Sequence, residues 1–197
     1  MTKILKLVLA TQNTHKVEEI SALLPAGVEA VSMSEIGLLD DIEESASTLK
    51  GNALLKARYV WERLKLPVLA DDSGLEVLAL GGAPGVMSAR YAGKEKDAEA
   101  NMAKLLEILR NEPFRDARFV TFLAFIDESG QEFLFEGEIR GQILGEKRGM
   151  GGFGYDPIFS PEGDERSFAE MRADEKNRIS HRARALQAFL CHLLNKL

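Results

Sequence analysis

A change of rhythm along the chain constrains the fold most. Strand and helix patterns alternate over the first half, and then a pair of long strand patterns follows directly. Residues 3–11 are rich in Ile, Leu and Val and read as a buried strand. Residues 14–24 place Val17, Ile20, Leu23 and Leu24 on one side of an amphipathic helix. Residues 28–32 predict a short strand. Residues 47–65 predict a longer helix with Ser47 as N-cap and Leu49, Ala53, Ala57, Val60, Trp61 and Leu64 toward the core. Two short strands are expected at 68–71 and 75–80, then a loop at Gly81-Gly82-Ala83-Pro84-Gly85. A helix at about 97–111, capped by Asp97, turns Met102, Leu105, Leu106 and Leu109 inward. Residues 117–127 and 131–144 form a hairpin turning at Ser129-Gly130. A short strand at Ile158-Phe159 and a final helix carrying Ile179, Ala183, Leu186, Leu190, Leu193 and Leu194 complete the pattern. This order predicts an α/β fold: a mixed central sheet flanked by helices. No linker is rich enough in Pro, Gly or Ser to separate independent domains, so residues 1–197 are expected to form one domain.

Composition narrows the function classes. No run approaches the roughly 20 apolar residues of a membrane span, and Lys6 interrupts the first apolar stretch, which argues against a signal peptide. Cys191 is the only cysteine and lies in the pattern of the last helix, so it reads as packing. With no internal disulfide to form, a reducing cytoplasm is the expected setting. A net charge of −6 disfavours generic binding to a nucleic-acid backbone. Arg166, Arg172, Lys176, Arg178, Arg182 and Arg184 nevertheless gather near the end. They either serve a small anionic ligand or form a solvated charged face.

Several segments carry chemistry. Gly151-Gly152-Phe153-Gly154-Tyr155-Asp156-Pro157 can be neither a regular helix nor a central strand. It sets aromatic faces and an acceptor beside backbone amides, as a flat hydrogen-bonding ligand requires. Thr11-Gln12-Asn13-Thr14-His15-Lys16 lies where the first strand hands over to the first helix, a place suited to phosphate. On its own the segment is explained more simply by a capped helix start, and no Walker pattern is present. Glu43 and Glu44 precede the second helix, and Asp71-Asp72-Ser73-Gly74 reads as a strand end. One acid from each place suffices for a hard cation such as Mg²⁺, which completes its shell with phosphate and water; the same acids also suit caps and turns. Asn52 and Lys56 share a helix face; Lys56 either reaches a phosphate or is solvated. Ser180-His181-Arg182 opens the last helix, where cations oppose the helix dipole. Asp174 or Glu175 can pair with them there. His15 and His192 carry no pattern of their own. No His/Cys metal constellation and no GxSxG elbow occurs.

Taken in order, these motifs resemble those of the inosine triphosphate pyrophosphatases, also described as dITP/XTP pyrophosphatases. The matching pieces are Thr11, Asn13 and Lys16; Asn52-Ala53-Leu54-Leu55-Lys56-Ala57; Asp71-Asp72-Ser73-Gly74-Leu75; Gly82-Ala83-Pro84-Gly85 leading to Ser88-Ala89-Arg90-Tyr91; Gly151 to Pro157; and Ser180-His181-Arg182. One departure is local: Lys50-Gly51 stands where the family often carries an acid. The resemblance implies a two-lobed α/β fold with the site in its cleft, a homodimer, and Mg²⁺-dependent hydrolysis between the α- and β-phosphates. By position it implies that Thr11, Gln12, Asn13, Thr14, His15, Lys16, Lys56 and Lys176 hold the triphosphate, helped by Ser73. Glu44 and Asp72 would hold the metal, with Asp72 also the base for water. Phe153 would stack on the purine, Gly154 and Tyr155 would also bind the substrate, and Asp156, His181 and Arg182 would read the base edge. Two other readings keep the fold: action on other nucleotides, and a non-catalytic nucleotide sensor. Glu44 and Asp72 speak against the sensor.

Overall fold

A computed structural model describes residues 5–194. Its strands are β1 Leu5–Leu9, β2 Val28–Ser32, β3 Val68–Val77, β4 Asp116–Ile126, β5 Glu132–Ile143 and β6 Phe159–Pro161. Its helices are α1 Thr14–Ser21, α2 Leu49–Leu64, α3 Ala98–Ile108, α4 Ala173–Ile179 and α5 His181–Leu194. The strands form one mixed sheet in the order β2-β1-β3-β4-β5-β6. β1 runs parallel to β2 from Leu5 opposite Val28 to Leu9 opposite Ser32, and parallel to β3 at Val8–Val68 and Leu9–Leu69. β6 runs antiparallel to β5, with Gly141 opposite Pro161. The mixed α/β sheet expected from the sequence is the one found.

The chain divides into two compact units. The first holds the segment ending at Asp72, Thr121–Gly137, and the segment from Arg182 onward; the second holds Ser73–Val120 and Glu138–His181. In the first unit, strand alternation sorts apolar residues into two cores. Leu7, Leu9, Leu69, Leu123 and Phe125 pack with Ile20 of α1 and with Ala185, Leu186 and Phe189 of α5. Their neighbours Val8, Ala10, Val68, Ala70, Ala124 and Ile126 pack with Ala53, Ala57 and Val60 of α2. A sheet covered on both sides needs apolar residues at successive positions, and residues 7–10 and 68–70 supply them. The second unit packs Met102 and Leu105 of α3 with Leu109 against Leu75, Val77, Phe119, Ile139, Phe159 and Phe168.

Most expected elements appear, with four corrections. The cap of α2 is Thr48, whose hydroxyl accepts the Gly51 N–H at 3.0 Å, rather than Ser47. The strands expected at 68–71 and 75–80 are one continuous strand through Asp71-Asp72-Ser73-Gly74, and only residues 78–80 leave it as a 3₁₀ turn. The last helix is two: Ile179 ends α4, Ser180 is extended, and α5 starts at His181. Cys191 is exposed, so it does not serve as core packing. Lys3 and Ile4 of the first expected strand lie outside the described residues.

Glycine 141 shows how closely β6 sits on β5. A Cβ there would lie 2.1 Å from the Ser160 carbonyl oxygen and 2.7 Å from the Phe159 ring. Gly141→Ala is therefore expected to destabilise the protein by about 1–3 kcal/mol, as overpacking does. Urea unfolding reads this directly; an unchanged midpoint would show that β6 shifts without cost.

Candidate active site

In the first unit, two ion-pair clusters form around β3, one on the Asp71 carboxylate and one on the Lys56 ammonium. The chain leaves β1 through Thr11, whose Oγ1 accepts the Asn13 N–H at 3.1 Å. Asn13 then caps α1 by accepting the Lys16 N–H at 3.3 Å. Gln12 Nε2 donates to the carbonyls of Leu39 and Asp40 at 3.1 and 3.0 Å, which ties this turn to the segment leading to Glu44. Thr14 and His15 are exposed on the first turn of α1. Lys16 reaches inward, its Nζ 2.6 Å from Asp71 Oδ1. Asp71 Oδ2 accepts from Arg182 Nε at 3.2 Å, and Arg182 Nη1 pairs with Glu19. Arg182 is only 2% exposed. Burial alone would raise the Asp71 pKa, but Lys16 and Arg182 reverse this and hold the carboxyl well below the usual range.

Asp72, the next residue, belongs to the second cluster because successive strand residues face opposite ways. Its Oδ1 accepts from Lys56 Nζ at 3.1 Å, and Glu44 Oε1 accepts from the same ammonium at 2.8 Å. Lys56 is buried in α2, so the solvated alternative does not hold. Asn52, one turn earlier, accepts the Ala46 N–H at 2.9 Å and fastens the loop that carries Glu44. Gly51 permits this: a Cβ there would stand 2.8 Å from Ala46 Cβ. The Lys50-Gly51 departure noted in the sequence is thus where the Glu44 loop docks on α2. Burial raises the Asp72 pKa, and Lys56 offsets this only in part. For Lys56 burial acts to lower the pKa, but Asp72 and Glu44 together raise it. These contacts set Lys16 and Arg182 against Asp71 and Glu19, and Lys56 against Glu44 and Asp72.

In the second unit, the glycine-rich loop closes on Asp156. Gly152 has φ +69°, and a Cβ there would lie 2.1 Å from Asp156 Oδ2. That oxygen accepts the Phe153 N–H at 2.8 Å and the Lys176 ammonium at 2.7 Å. Lys176 Nζ also lies 4.8 Å from the Phe153 ring centroid, a cation–π distance. Gly151 donates its N–H to the Ala169 carbonyl at 3.0 Å, which pins the start of the loop. Tyr155 is a core residue: its hydroxyl donates to the Ser88 carbonyl at 2.9 Å, and burial raises its pKa. His181 stacks on Phe119 with centroids 4.7 Å apart. Ser73 is half-buried on β3.

A profile of the Ham1 family matches residues 7–192. The chain belongs to the Ham1 family. It is 57% identical over 182 residues to a protein of Porphyromonas gingivalis named dITP/XTP pyrophosphatase, covering 92% of this chain and 93% of the other. The Ham1 protein of Staphylococcus aureus superposes with a TM-score of 0.89 at 38% identity, covering 98% of this chain and all of that one. A Mycobacterium abscessus crystal structure titled nucleoside-triphosphatase / dITP/XTP pyrophosphatase superposes with a TM-score of 0.77 at 42% identity, covering 94% and 99%.

Among the residues expected to act in this Ham1 chain, three sets come into contact. Lys16 and Arg182 meet on Asp71; Glu44 and Asp72 meet on Lys56; Phe153 and Lys176 meet on Asp156. Others stand apart from these contacts: Gln12 holds a loop backbone, His15 is on the surface 3.8 Å from Glu18, and Tyr155 lies in the core. The expected basic cluster is not one patch. Arg166 pairs with Asp164 and Glu175, and Arg172 and Arg178 with Asp174, all at the surface. Arg182 pairs with Asp71 and Glu19, and Glu19 is a site neighbour the sequence reading missed. Its signal was present: Lys16 and Glu19 are three apart in α1 and share a face.

Proposed function

We propose that this chain hydrolyses non-standard purine nucleoside triphosphates (dITP, ITP, XTP) to the monophosphate and pyrophosphate, removing deaminated purines from the nucleotide pool. One observation carries the reading beyond the names of the relatives. Two carboxylates from separate segments, Glu44 and Asp72, converge on the Lys56 ammonium. Such a pair offers the oxygen donors that a hard divalent cation takes, and Lys56 Nζ already marks a cationic position between them. Among the described residues no three His, Cys, Asp or Glu gather to enclose a metal. Mg²⁺ keeps water and substrate phosphate in its shell, so two protein carboxylates are enough to hold it. Glu44 and Asp72 would hold it, and it would neutralise developing phosphate charge.

The roles then follow by residue. Backbone and side-chain donors of Thr11, Gln12, Asn13, Thr14 and His15, with Ser73, Lys16 and Lys56, hold the phosphates. Positioning and charge neutralisation supply most of the catalysis of phosphorus hydrolysis. Asp72 takes a proton from water as the water oxygen bonds to the α-phosphorus, and the bridging oxygen leaves with pyrophosphate. Phe153 stacks on the purine, and Gly154 and Tyr155 shape its loop. Lys176, expected from the sequence to hold phosphate, is assigned instead to the purine end, because it is paired with Asp156 beside the Phe153 ring. Asp156, His181 and Arg182 read the base edge. Hypoxanthine and xanthine present an acceptor at O6 and a donor at N1, and adenine reverses both. A guanidinium set for O6 faces a donor in adenine, and such mismatches are strongly rejected. No described helix is long and apolar enough to cross a membrane. The net charge favours a small-molecule substrate over nucleic acid. The lone Cys191 fits a cytoplasmic setting, and a homodimer, implied by the resemblance, is the state expected in sedimentation.

The test is an assay with dITP, XTP, dGTP and dATP plus Mg²⁺, measuring phosphate with and without added inorganic pyrophosphatase. Phosphate is expected only with the added enzyme, and dITP and XTP should lead. Direct phosphate release would mean γ-cleavage and would defeat the proposed bond. Equal rates on dATP would defeat the base reading. Phe153→Ala is expected to weaken every purine nucleotide by about 1–3 kcal/mol, the usual worth of base–aromatic stacking. An unchanged Kd in calorimetry would leave the ring as packing only.

A further inference from the structure

Asp71 belongs to neither the metal pair nor the base-edge set, yet it is the most enclosed acid of the first unit, with a side chain 0% exposed. A carboxylate so enclosed acts through its neighbours. Strand alternation turns it, with Leu69, toward α1 and α5, while Asp72 turns toward α2. Its two oxygens are divided between two cations from distant parts of the chain. Oδ1 takes the Lys16 ammonium at 2.6 Å and Oδ2 the Arg182 Nε–H at 3.2 Å. Glu19 grips the outer end of the same guanidinium. Arg182 occupies the first turn of α5, where the helix dipole repels a cation, so its placement needs these acids.

We propose that Asp71 is a positioning residue that sets Lys16 for the phosphates and Arg182 for the purine edge from a single carboxylate, coupling rate to base selectivity. This deepens the pyrophosphatase reading and rests on it. An ion pair already formed with each cation spares the substrate from ordering two long side chains. A carboxylate that served only as a counter-ion would instead affect stability and leave the kinetics of a folded variant alone.

A double-mutant cycle separates these roles, with kcat/KM for dITP and the dITP:dATP ratio as readouts. Asp71→Asn is expected to lower kcat/KM by roughly 100-fold, the scale at which a misplacement of about 1 Å acts, and to narrow the dITP:dATP ratio. Lys16→Met alone should cost a similar factor. The two together should fall within about threefold of the worse single variant, because residues acting as one unit are not additive. Losses that multiply in the double variant, or an unchanged ratio in Asp71→Asn, would overturn the proposal. Should Asp71→Asn not fold, Asp71→Glu decides: it keeps the charge but moves both oxygens by one carbon. The expectation is a loss of about tenfold or more in kcat/KM at an unchanged melting temperature; wild-type kinetics would reduce Asp71 to a counter-ion. A wild-type protein that leaves dITP and XTP intact, or releases phosphate directly, defeats the pyrophosphatase reading instead. An active wild type with multiplying losses defeats only the role of Asp71.

Discussion

Asp72→Asn is expected to lower kcat for dITP by roughly 10²–10⁴-fold, the range over which a positioned general base acts, without unfolding the protein. Asparagine keeps the shape of the side chain and leaves an oxygen where Lys56 Nζ finds one at 3.1 Å. Lys56 also keeps Glu44 at 2.8 Å, so no buried cation is stranded. What disappears is the negative charge that takes the proton and, in the proposed reading, half of the carboxylate pair for Mg²⁺. Because burial disfavours the Asp72 anion, the substitution removes a charge the fold holds at a cost. The melting temperature in chelator-containing buffer should therefore stay level or rise. Near wild-type turnover would strip Asp72 of its role; a collapse in melting temperature would show that the carboxylate is structural.

Asp156→Ala should act in the opposite manner, injuring the fold and the purine end together. Its Oδ2 serves both the Phe153 N–H and the Lys176 ammonium, and Asp156 and Lys176 are 3% and 5% exposed. Breaking a buried pair from one side costs about 3–5 kcal/mol, because the remaining charge is uncompensated. The Phe153 N–H loses its acceptor as well, for about 1–3 kcal/mol. Urea unfolding should shift by several kcal/mol, and the KM for dITP should rise roughly tenfold or more. The double variant Asp156→Asn with Lys176→Met removes both charges and should regain most of the stability. If Asp156 and Lys176 act at the purine, affinity stays low in that variant. Full recovery of affinity would mean that the pair only pins the loop.

The parts of the fold legible in the sequence are those with local causes. Asp97 caps α3 by accepting from Glu99 and Ala100 N–H groups, as its place just before the apolar pattern predicts. The hairpin turn at Ser129-Gly130 is closed by Asp127, whose Oδ1 accepts from Ser129 and Gln131. β3 shows the opposite case. Asp-Asp-Ser-Gly is turn composition, yet the strand continues through it, because Lys16, Arg182 and Lys56 satisfy the two acids in place. Tertiary partners override a weak local propensity. Thr48 and Ser47 are adjacent hydroxyls that no local rule separates. α4 spans seven residues, too few for a readable apolar stripe. The residue types of the candidate site are named by motif order, but their partners are not. Arg182 finds Asp71 across a separation of 111 positions, and nothing in the spacing of charges announces that pairing.

The alternating placement of Asp71 and Asp72 also fixes what this protein can tolerate in evolution. Substitutions along residues 68–70 trade one apolar side chain for another, but a single deletion there would slip β3 by one place. Both acids would survive in the chain but change places: Asp72 would stand beside Lys16 and Arg182, Asp71 would enter the apolar core at the place of Ala70, and Ser73 would face Lys56. Composition, charge and every motif letter would be nearly unaltered, and the wiring would be wrong. At β3, counting matters more than chemistry: the length of the strand up to Asp71 is itself part of the inherited information.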